Sequence, residues 1–367
     1  ESADQQKDAD QPEGADQPES TDQPKDADQQ ESADQQESAD RQAQQAAPAA
    51  APAAPTLVNG KGNGFFGNTI TVINKVANTV LNLTLRDVKI DVSDEDEKTA
   101  LSVQGDGNVE IELDGDNELK SGFVRAGLEK NTSEGTLTLK DDNKDGSLKA
   151  TGGANGAGIG GSMNNGTNKI TIKGGTVEAK GGLYAAGIGG GIGGGGEDIT
   201  IKGGRVTATG GDYGAGIGGG SGGSGKNITI NGGTVTAAGG FNGAGIGGGI
   251  IGSGENITIT GGEVKATGGA NGAGIGGGDS GIGEDITITG GTVNADGGDN
   301  GAGIGGGATG SGSNVTVSGA AQVTATTGKS DGYYGAGATI GNGGNMTDDG
   351  QPVDGEEIQA DIRGVTT

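Results

Sequence analysis

The chain has 367 residues, of which 87 are glycine, 29% are hydrophobic with alanine counted, and 2% are aromatic. A conventional packed domain of this length needs more large apolar side chains, so the composition excludes an ordinary globular core. With 49 acidic against 23 basic residues the formal charge is −26, which repels nucleic-acid phosphate. The absence of cysteine, histidine and tryptophan removes disulfides, thiolate and imidazole metal sites, and Cys–His or Ser–His catalysis.

Residues 1–45 repeat every six positions, as in Ala3-Asp4-Gln5, Ala9-Asp10-Gln11 and Ala15-Asp16-Gln17. They hold 14 acids, 3 bases and no Val, Ile, Leu or aromatic residue. Such a tract cannot bury enough surface to offset its ordering entropy, and Pro12, Pro18 and Pro24 interrupt any helix, so a disordered acidic tether is expected. The Ala/Pro segment 46–56 reads as a semi-rigid linker. No apolar run approaches the length of a membrane-spanning helix, which predicts no membrane insertion, and Glu1 reads as the start of a processed chain.

Residues 57–150 carry irregular alternating segments: Thr69 to Ile73, Leu81 to Leu85, Val88 to Val92 and Val109 to Leu113. Leu137-Thr138-Leu139 and Leu148-Lys149-Ala150 match the more regular segments downstream of them. From 151 to 340 the pattern is strictly periodic. An Ala-Gly-Ile-Gly-Gly motif places isoleucine at 159, 188, 217, 246, 275 and 304. An Ile-Thr-Ile triplet recurs at 170–172, 199–201, 228–230, 257–259 and 286–288, becoming Val315-Thr316-Val317. Valines 177, 206, 235, 264 and 293 form a third column, each with alanine two residues later, and Val323 follows one position late.

Three columns at one period are the signature of a solenoid. Each segment alternates, placing both isoleucines on one face and threonine on the other, and no apolar stripe recurs at helical spacing. The predicted fold is all-β: a single-stranded parallel β-helix with 29-residue coils, right-handed by the crossover rule, with eight or nine coils stacked about 4.8 Å apart. Glycine pairs such as Gly203-Gly204 mark corners with positive φ. The Ala-Gly-Ile-Gly-Gly strands form either a bare exposed ribbon or one covered by neighbouring loops. Residues 341–367 read as a polar C-terminal cap or tail.

Candidate chemistry is sparse. Catalytic work on a β-helix needs paired carboxylates on an outward face. Glu197, Asp198, Glu255, Glu284 and Asp285 lie at corners, but Lys226, Asn227, Asn168 and Lys169 fill the same columns elsewhere. Solvated turn acids are therefore expected before a catalytic pair. Asp141, Asn143 and Asp145, followed by Gly146, match the start of a calcium loop. Gly152 occupies the twelfth position, where a bidentate carboxylate belongs, so an acidic hairpin is the first expectation and calcium the second. Tyr184, Tyr213 and Phe241 precede successive Ala-Gly-Ile strands. They either cover a corner of the core or form a patch for a sugar or protein, and they supply the candidate ligand-binding residues. The threonine column at 171, 200, 229, 258, 287 and 316 raises an ice-binding reading, which the varied neighbours Glu178, Lys265 and Asn294 weaken by breaking a flat array.

Ile-Thr-Ile-Lys-Gly-Gly-Thr-Val followed by Gly-Ala-Gly-Ile-Gly-Gly-Gly resembles glycine-rich repeats of secreted or cell-surface proteins of Gram-positive gut and anaerobic bacteria. Those proteins are often labelled carbohydrate-binding-domain-containing or adhesin-like. The resemblance covers roughly 80–340 and implies a β-helix at the cell surface, and it transfers no binding residue to a numbered position. The expected function is an extracellular, non-catalytic, adhesin-like module recognising a glycan or a protein of a host or neighbouring cell. A passive surface stalk comes second. A polysaccharide-active enzyme and an ice-binding protein follow.

Overall fold

The computed structural model describes residues 56–58 and 64–363. The acidic tract and the linker up to residue 55 lie outside them. Successive coils build three parallel sheets of eleven, nine and ten strands. The first sheet takes the Ile-Thr-Ile segments (Thr167–Ile172, Gly196–Ile201, Gly225–Ile230 and their successors). The second takes the Val-Ala segments (Thr176–Lys180, Arg205–Thr209 and onward), and the third the short Ile-Gly segments (Ile159–Gly160, Ile188–Gly189 and onward). The chain is an all-β, single-stranded parallel β-helix, and equivalent positions in its regular coils, such as Asp198 and Asn227, are 29 residues apart.

Register follows the sequence columns. Ile170 pairs with Ile199, Val177 with Val206 and Ile159 with Ile188. Upstream, Leu137 pairs with Val109 below and Ile170 above, Leu128 with Ile159, and Leu148 with Val177. The one-residue delay of Val323 is absorbed before its strand, so Val293 and Val323 still pair. The longest sheet has eleven rungs rather than the expected eight or nine. Thr56–Val58 and Asp361–Arg363 add its two edge rungs, and neither carries the repeat pattern. Between the last regular rung and Asp361–Arg363 the chain makes a small antiparallel ladder, Asn345–Met346 with Pro352–Val353.

Alternation along each strand drives the packing. In Gly225–Ile230 both isoleucines are fully buried while Thr229 between them stays partly open. The inward residues are Ile, Val, Leu and Ala in unbroken columns, so each buries its surface mainly against its equivalents one coil away. A narrow lumen of this kind is filled by small branched side chains, which reconciles a continuous core with the low apolar content.

The residue before each Ile-Thr-Ile triplet is a feature the periodicity did not announce. Lys169, Asp198, Asn227, Asn256, Asp285 and Asn314 all have φ between 51° and 55°. The ladder pairs Asn168 with Glu197 and then Ile170 with Ile199, stepping over this position. It is a bulge in the left-handed region, where Asn and Asp are the best tolerated side-chain-bearing residues. Their side chains also join the coils: Asn227 Nδ2 donates to Asp198 Oδ1 (3.0 Å), Asn256 Nδ2 to Asn227 Oδ1 (2.7 Å), and Asn314 Nδ2 to Asp285 Oδ1 (3.1 Å).

The glycine ribbon is covered. Residues 157–161 are all buried, because the flanking loops fold over them. Ala186 N–H donates to Gly190 O, and the loops of successive coils bond to each other, as in Gly182 N–H to Gly156 O and Gly191 N–H to Asn165 O. At Gly189 φ is 142°, and a Cβ would overlap the carbonyl oxygen of Gly218 in the next coil. The corner Gly204 has φ of 84°, where glycine alone is unstrained, and its neighbour Gly203 has no such φ.

Gly189→Ala should destabilise the solenoid by about 3 kcal/mol or more, since backbone rather than a flexible side chain blocks the methyl group. Gly174→Ala, whose Cβ would meet its nearest atom at 3.5 Å, should stay within about 0.5 kcal/mol of wild type. Guanidinium unfolding followed by far-ultraviolet circular dichroism compares them, and equal midpoints would refute the close-approach explanation.

Candidate functional site

The flank over the third sheet is built from two loops per coil. The first precedes the Ala-Gly-Ile strand and the second follows it. Backbone bonds stack the first loops: Tyr184 N–H donates to Ala154 O, Tyr213 N–H to Leu183 O, Asn242 N–H to Asp212 O, and Asn271 N–H to Phe241 O. They also tie each first loop to the second loop of the next coil, through Ile192 N–H to Asn155 O, Ser221 N–H to Tyr184 O and Ile250 N–H to Tyr213 O. One continuous flank results.

Two neighbouring columns run along its first loops. One contains Phe123, Ala154, Leu183, Asp212, Phe241 and Ala270. The other contains Asn155, Tyr184, Tyr213, Asn242, Asn271 and Asn300. Tyr184 and Tyr213 stack, with ring centroids 5.1 Å apart and planes 10° from parallel. Phe241 lies one position earlier in its coil, in the outer column, and is 59% exposed. Tyr184 and Tyr213 thus form one half-buried pair, while Phe241 belongs to the surface beside it.

Sequence columns alone did not reveal the rest of this surface. Phe123, Met163, Leu183 and Ile251 are exposed on the same flank, and Ile251 is 69% exposed at the tip of a second loop. From residue 81 to residue 332 the exposed large hydrophobic side chains are Phe123, Met163, Leu183, Phe241 and Ile251, and all five stand here. Ile251 has φ of 54°, a strained value for a β-branched residue, where Gly193 and Gly222 occupy the equivalent positions. Asp212 and Asp299 interrupt the outer column with exposed carboxylates. The flank can therefore offer apolar contact area with an acidic border.

The other candidates fall elsewhere. Asp141 Oδ1 accepts the backbone N–H of Asp145 at 3.2 Å, closing a turn, and Asn143 is exposed at its tip. Beside it, Lys140 Nζ contacts Asp142 Oδ2 at 2.6 Å and Glu112 Oε2 at 3.3 Å; its hydrogen bond to Asp142 pulls that carboxyl below its ordinary range. Among the described residues no three His, Cys, Asp or Glu side chains converge in a metal-holding group. Of the corner acids, Asp198 and Asp285 serve the bulge ladder, and Glu255 pairs with Lys226 at 2.8 Å. Tyr333 and Tyr334 meet edge to face, with centroids 4.8 Å apart, near the last coil.

A buried polar cluster also gave no sign of itself in the sequence. Glu129 pairs in register with Gly160, where the irregular coils meet the glycine-rich ones. Its carboxylate accepts from Ser162 Oγ, Thr99 Oγ1 (3.0 Å), Asn131 Nδ2 (3.2 Å) and Ser102 Oγ (3.3 Å), with Arg125 Nη1 at 3.4 Å. Adjacent Lys130 is fully buried, and its Nζ donates to Asn131 O (3.1 Å), Asn168 Oδ1 (3.2 Å) and Asn168 O (3.3 Å). Both charges are satisfied by these partners, which makes the cluster a structural pin at the junction.

The family described as "Beta helix repeat" matches residues 144–163, 170–196, 199–221, 228–250, 257–279 and 286–308. The chain carries a parallel β-helix repeat module. No curated protein and no solved structure matches it. The matched segments of the module contain Met163, Leu183, Tyr184, Tyr213, Phe241 and most of the flank, so its surface side chains vary while its core columns repeat. Among the described residues no helix is long and apolar enough to cross a membrane.

Burial, aided by the charge of Lys169 and opposed by Glu134, pushes the Lys130 ammonium down from 10.5 to about 8. Below pH 8 both folded and unfolded chains carry the proton, and the burial cost is fully present. Between about 8 and 10.5 the unfolded chain binds more protons, so stability should rise with pH, by on the order of 3 kcal/mol across the window. Lys130→Met should lose this rise; an unchanged slope in guanidinium midpoints between pH 8 and 10 would refute the assignment.

Proposed function

We propose that the chain is a non-catalytic recognition module, displayed outside a cell, whose apolar flank docks a protein bearing an apolar patch bordered by basic residues. The carrying observation is the confinement of all five exposed large hydrophobics between residues 81 and 332 to one flank. Scattered apolar side chains are ordinary on a protein surface, whereas Phe, Tyr, Met, Leu and Ile gathered on one flank have the composition of an interface. The acidic border, with Asp212 and Asp299 exposed, and the formal charge of −26 favour a basic partner and discourage self-association. Extracellular display rests on the resemblance to surface repeats.

The tyrosine pair supports a protein rather than a glycan. Sugar rings lie flat on an aromatic face, but Tyr184 and Tyr213 each turn one face to the other. A strained, exposed isoleucine supports the same reading, because strain without a packing gain is tolerated where the residue has another task.

Immobilised extracellular-matrix proteins and a glycan array, each probed with the purified chain, test this. Saturable binding to a matrix protein is expected, falling at least tenfold in Phe241→Ser and in Ile251→Gly, while Ile251→Gly gains about 0.5–1 kcal/mol of stability from relieved strain. Selective glycan binding lost in Tyr184→Ala would replace the protein by a sugar. Silence toward both probes would leave the module a stalk.

A further inference from the structure

The bulge column of the first sheet is interrupted between two neighbouring coils. Lys169, Asp198, Asn227, Asn256, Asp285 and Asn314 occupy one position of successive coils. Asn256 Nδ2 donates to Asn227 Oδ1 at 2.7 Å and Asn227 Nδ2 to Asp198 Oδ1 at 3.0 Å, so both amides send their nitrogens toward the preceding coil. Asn314 Nδ2 does the same toward Asp285 Oδ1 at 3.1 Å. An ionised carboxylate has no proton to pass on, and the relay stops at each aspartate.

The two aspartates then meet different neighbours. One coil before Asp198 stands Lys169, whose ammonium contacts Glu134 Oε2 at 2.7 Å. That hydrogen bond, opposed by burial and joined by the charges of Glu134 and Asp198, holds the ammonium up, which puts a cation within electrostatic range of Asp198. One coil before Asp285 stands Asn256, whose nitrogen is already committed to Asn227. Two acceptors, Asn256 Oδ1 and the Asp285 carboxylate, therefore follow one another along the column with no hydrogen bond between them. Neither Asp285 nor the adjacent Glu284 takes part in an ion pair of the described residues, whereas Glu255 in the coil before has Lys226.

This interruption lies in the wall of a cleft of about 630 Å³, lined jointly by residues of the first sheet and by Ile358, Gln359 and Asp361 of the C-terminal segment. Asn256, Asp285, Thr287, Asn314 and Thr316 all face it. The nitrogens of Asn256 and Asn314 are spent along the column, so what these side chains have left for a ligand is oxygen: two amide oxygens, Asp285 Oδ2, and the hydroxyls of Thr287 and Thr316 acting as acceptors. A wall of acceptors carrying negative charge selects a ligand that brings donors and positive charge.

We propose that this cleft binds an arginine side chain of a partner protein, with the guanidinium held between Asn256 and Asp285. A guanidinium carries five N–H donors in one plane, no acceptor and a permanent charge. The wall offers more acceptors than the three protons of a lysine ammonium can fill, and the cleft is far larger than a bare metal ion needs. In the column the guanidinium does for Asp285 what Lys169 does for Asp198. The cleft is built on the first sheet, so the proposal does not depend on what the flank over the third sheet docks.

Calorimetric titration of the full chain at low ionic strength with acetyl-Gly-Arg-Gly amide tests this, with the lysine peptide and the uncharged citrulline peptide as comparisons. Saturable binding of the arginine peptide is expected, at least tenfold tighter than either comparison. Asp285→Asn should weaken it at least tenfold. The new amide can donate to Asn256 Oδ1 and still accept from Asn314, so the thermal midpoint of this variant should not fall. Asn256→Lys repeats the arrangement of Lys169 beside Asp198, at a φ of 52° against the 55° that Lys169 adopts, and should abolish binding while the fold is kept. Asp198→Asn removes an equal charge from the same column and should leave binding unchanged. Absence of saturable heat, equal affinity for the lysine or citrulline peptide, or undiminished binding in Asp285→Asn or Asn256→Lys would each overturn the proposal. Equal weakening by Asp198→Asn would overturn it too, because overall acidity rather than the cleft would then hold the peptide.

Discussion

Close stacking of one coil on the next is the constraint on which the rest of the structure depends. At a spacing of about 4.8 Å, each residue has its own equivalent as its nearest neighbour above and below, so any side chain is tested against a copy of itself. Isoleucine and valine pass this test inside the lumen, where columns from Ile170 to Ile286 and from Val177 to Val293 exclude water without large aromatics. Glycine passes it in the third sheet, where the backbone of the next coil already fills the space of a Cβ at Gly189. Asn and Asp pass it at the bulge, because an amide can donate upward or downward to its own kind.

The same constraint explains why distinctive side chains collect on one flank. Outward positions of the first two sheets belong to regular strands, where Thr and charged residues serve the register. The glycine-rich strands carry their isoleucines inward and no side chain outward, and their loops fold over them. The tips of those loops are where a coil can differ from its neighbour without disturbing the ladder. Phe241 can stand beside Asp212 and Ala270, and Ile251 beside Gly222 and Ser280, because only the backbone there must repeat. Variation and exposure therefore coincide, which is the general condition for function on a repetitive scaffold.

This physics also sets how much of the molecule is legible in its sequence. The core columns are legible because stacking demands identity, and even the degenerate Leu128, Leu137 and Leu148 can be aligned. The Tyr184–Tyr213 pair is legible for the same reason, as two equal residues at the period. Phe123, Leu183 and Phe241 share a column too, but Ala154 and Asp212 intervene, so their common surface emerges only when the loops are placed. Ile251 gives no periodic signal because its column holds Asn164, Gly193, Gly222, Ser280 and Thr309, whose common property is a left-handed backbone rather than a side chain. Glu129 and Lys130 look like surface charge. Their burial follows from the register that aligns Glu129 with Gly160, a relation crossing the change from irregular to regular coils.

A column that repeats carries structural demand, and a column that breaks locates where that demand is relaxed or replaced. Asn155, Tyr184, Tyr213, Asn242, Asn271 and Asn300 show both behaviours in one line. The amides can bond along the column as long as each presents its nitrogen in the same direction, and the aromatic pair substitutes ring stacking for that bond without altering the backbone. At Asn300 the demand changes, since the next coil offers the carbonyls of Tyr334 and Gly335 instead of another amide. The nitrogen follows those acceptors, and an oxygen is left without a donor. An infinite solenoid would contain no such mismatch. It arises because the array must end, and the chemistry of its last coil differs from the others for that reason.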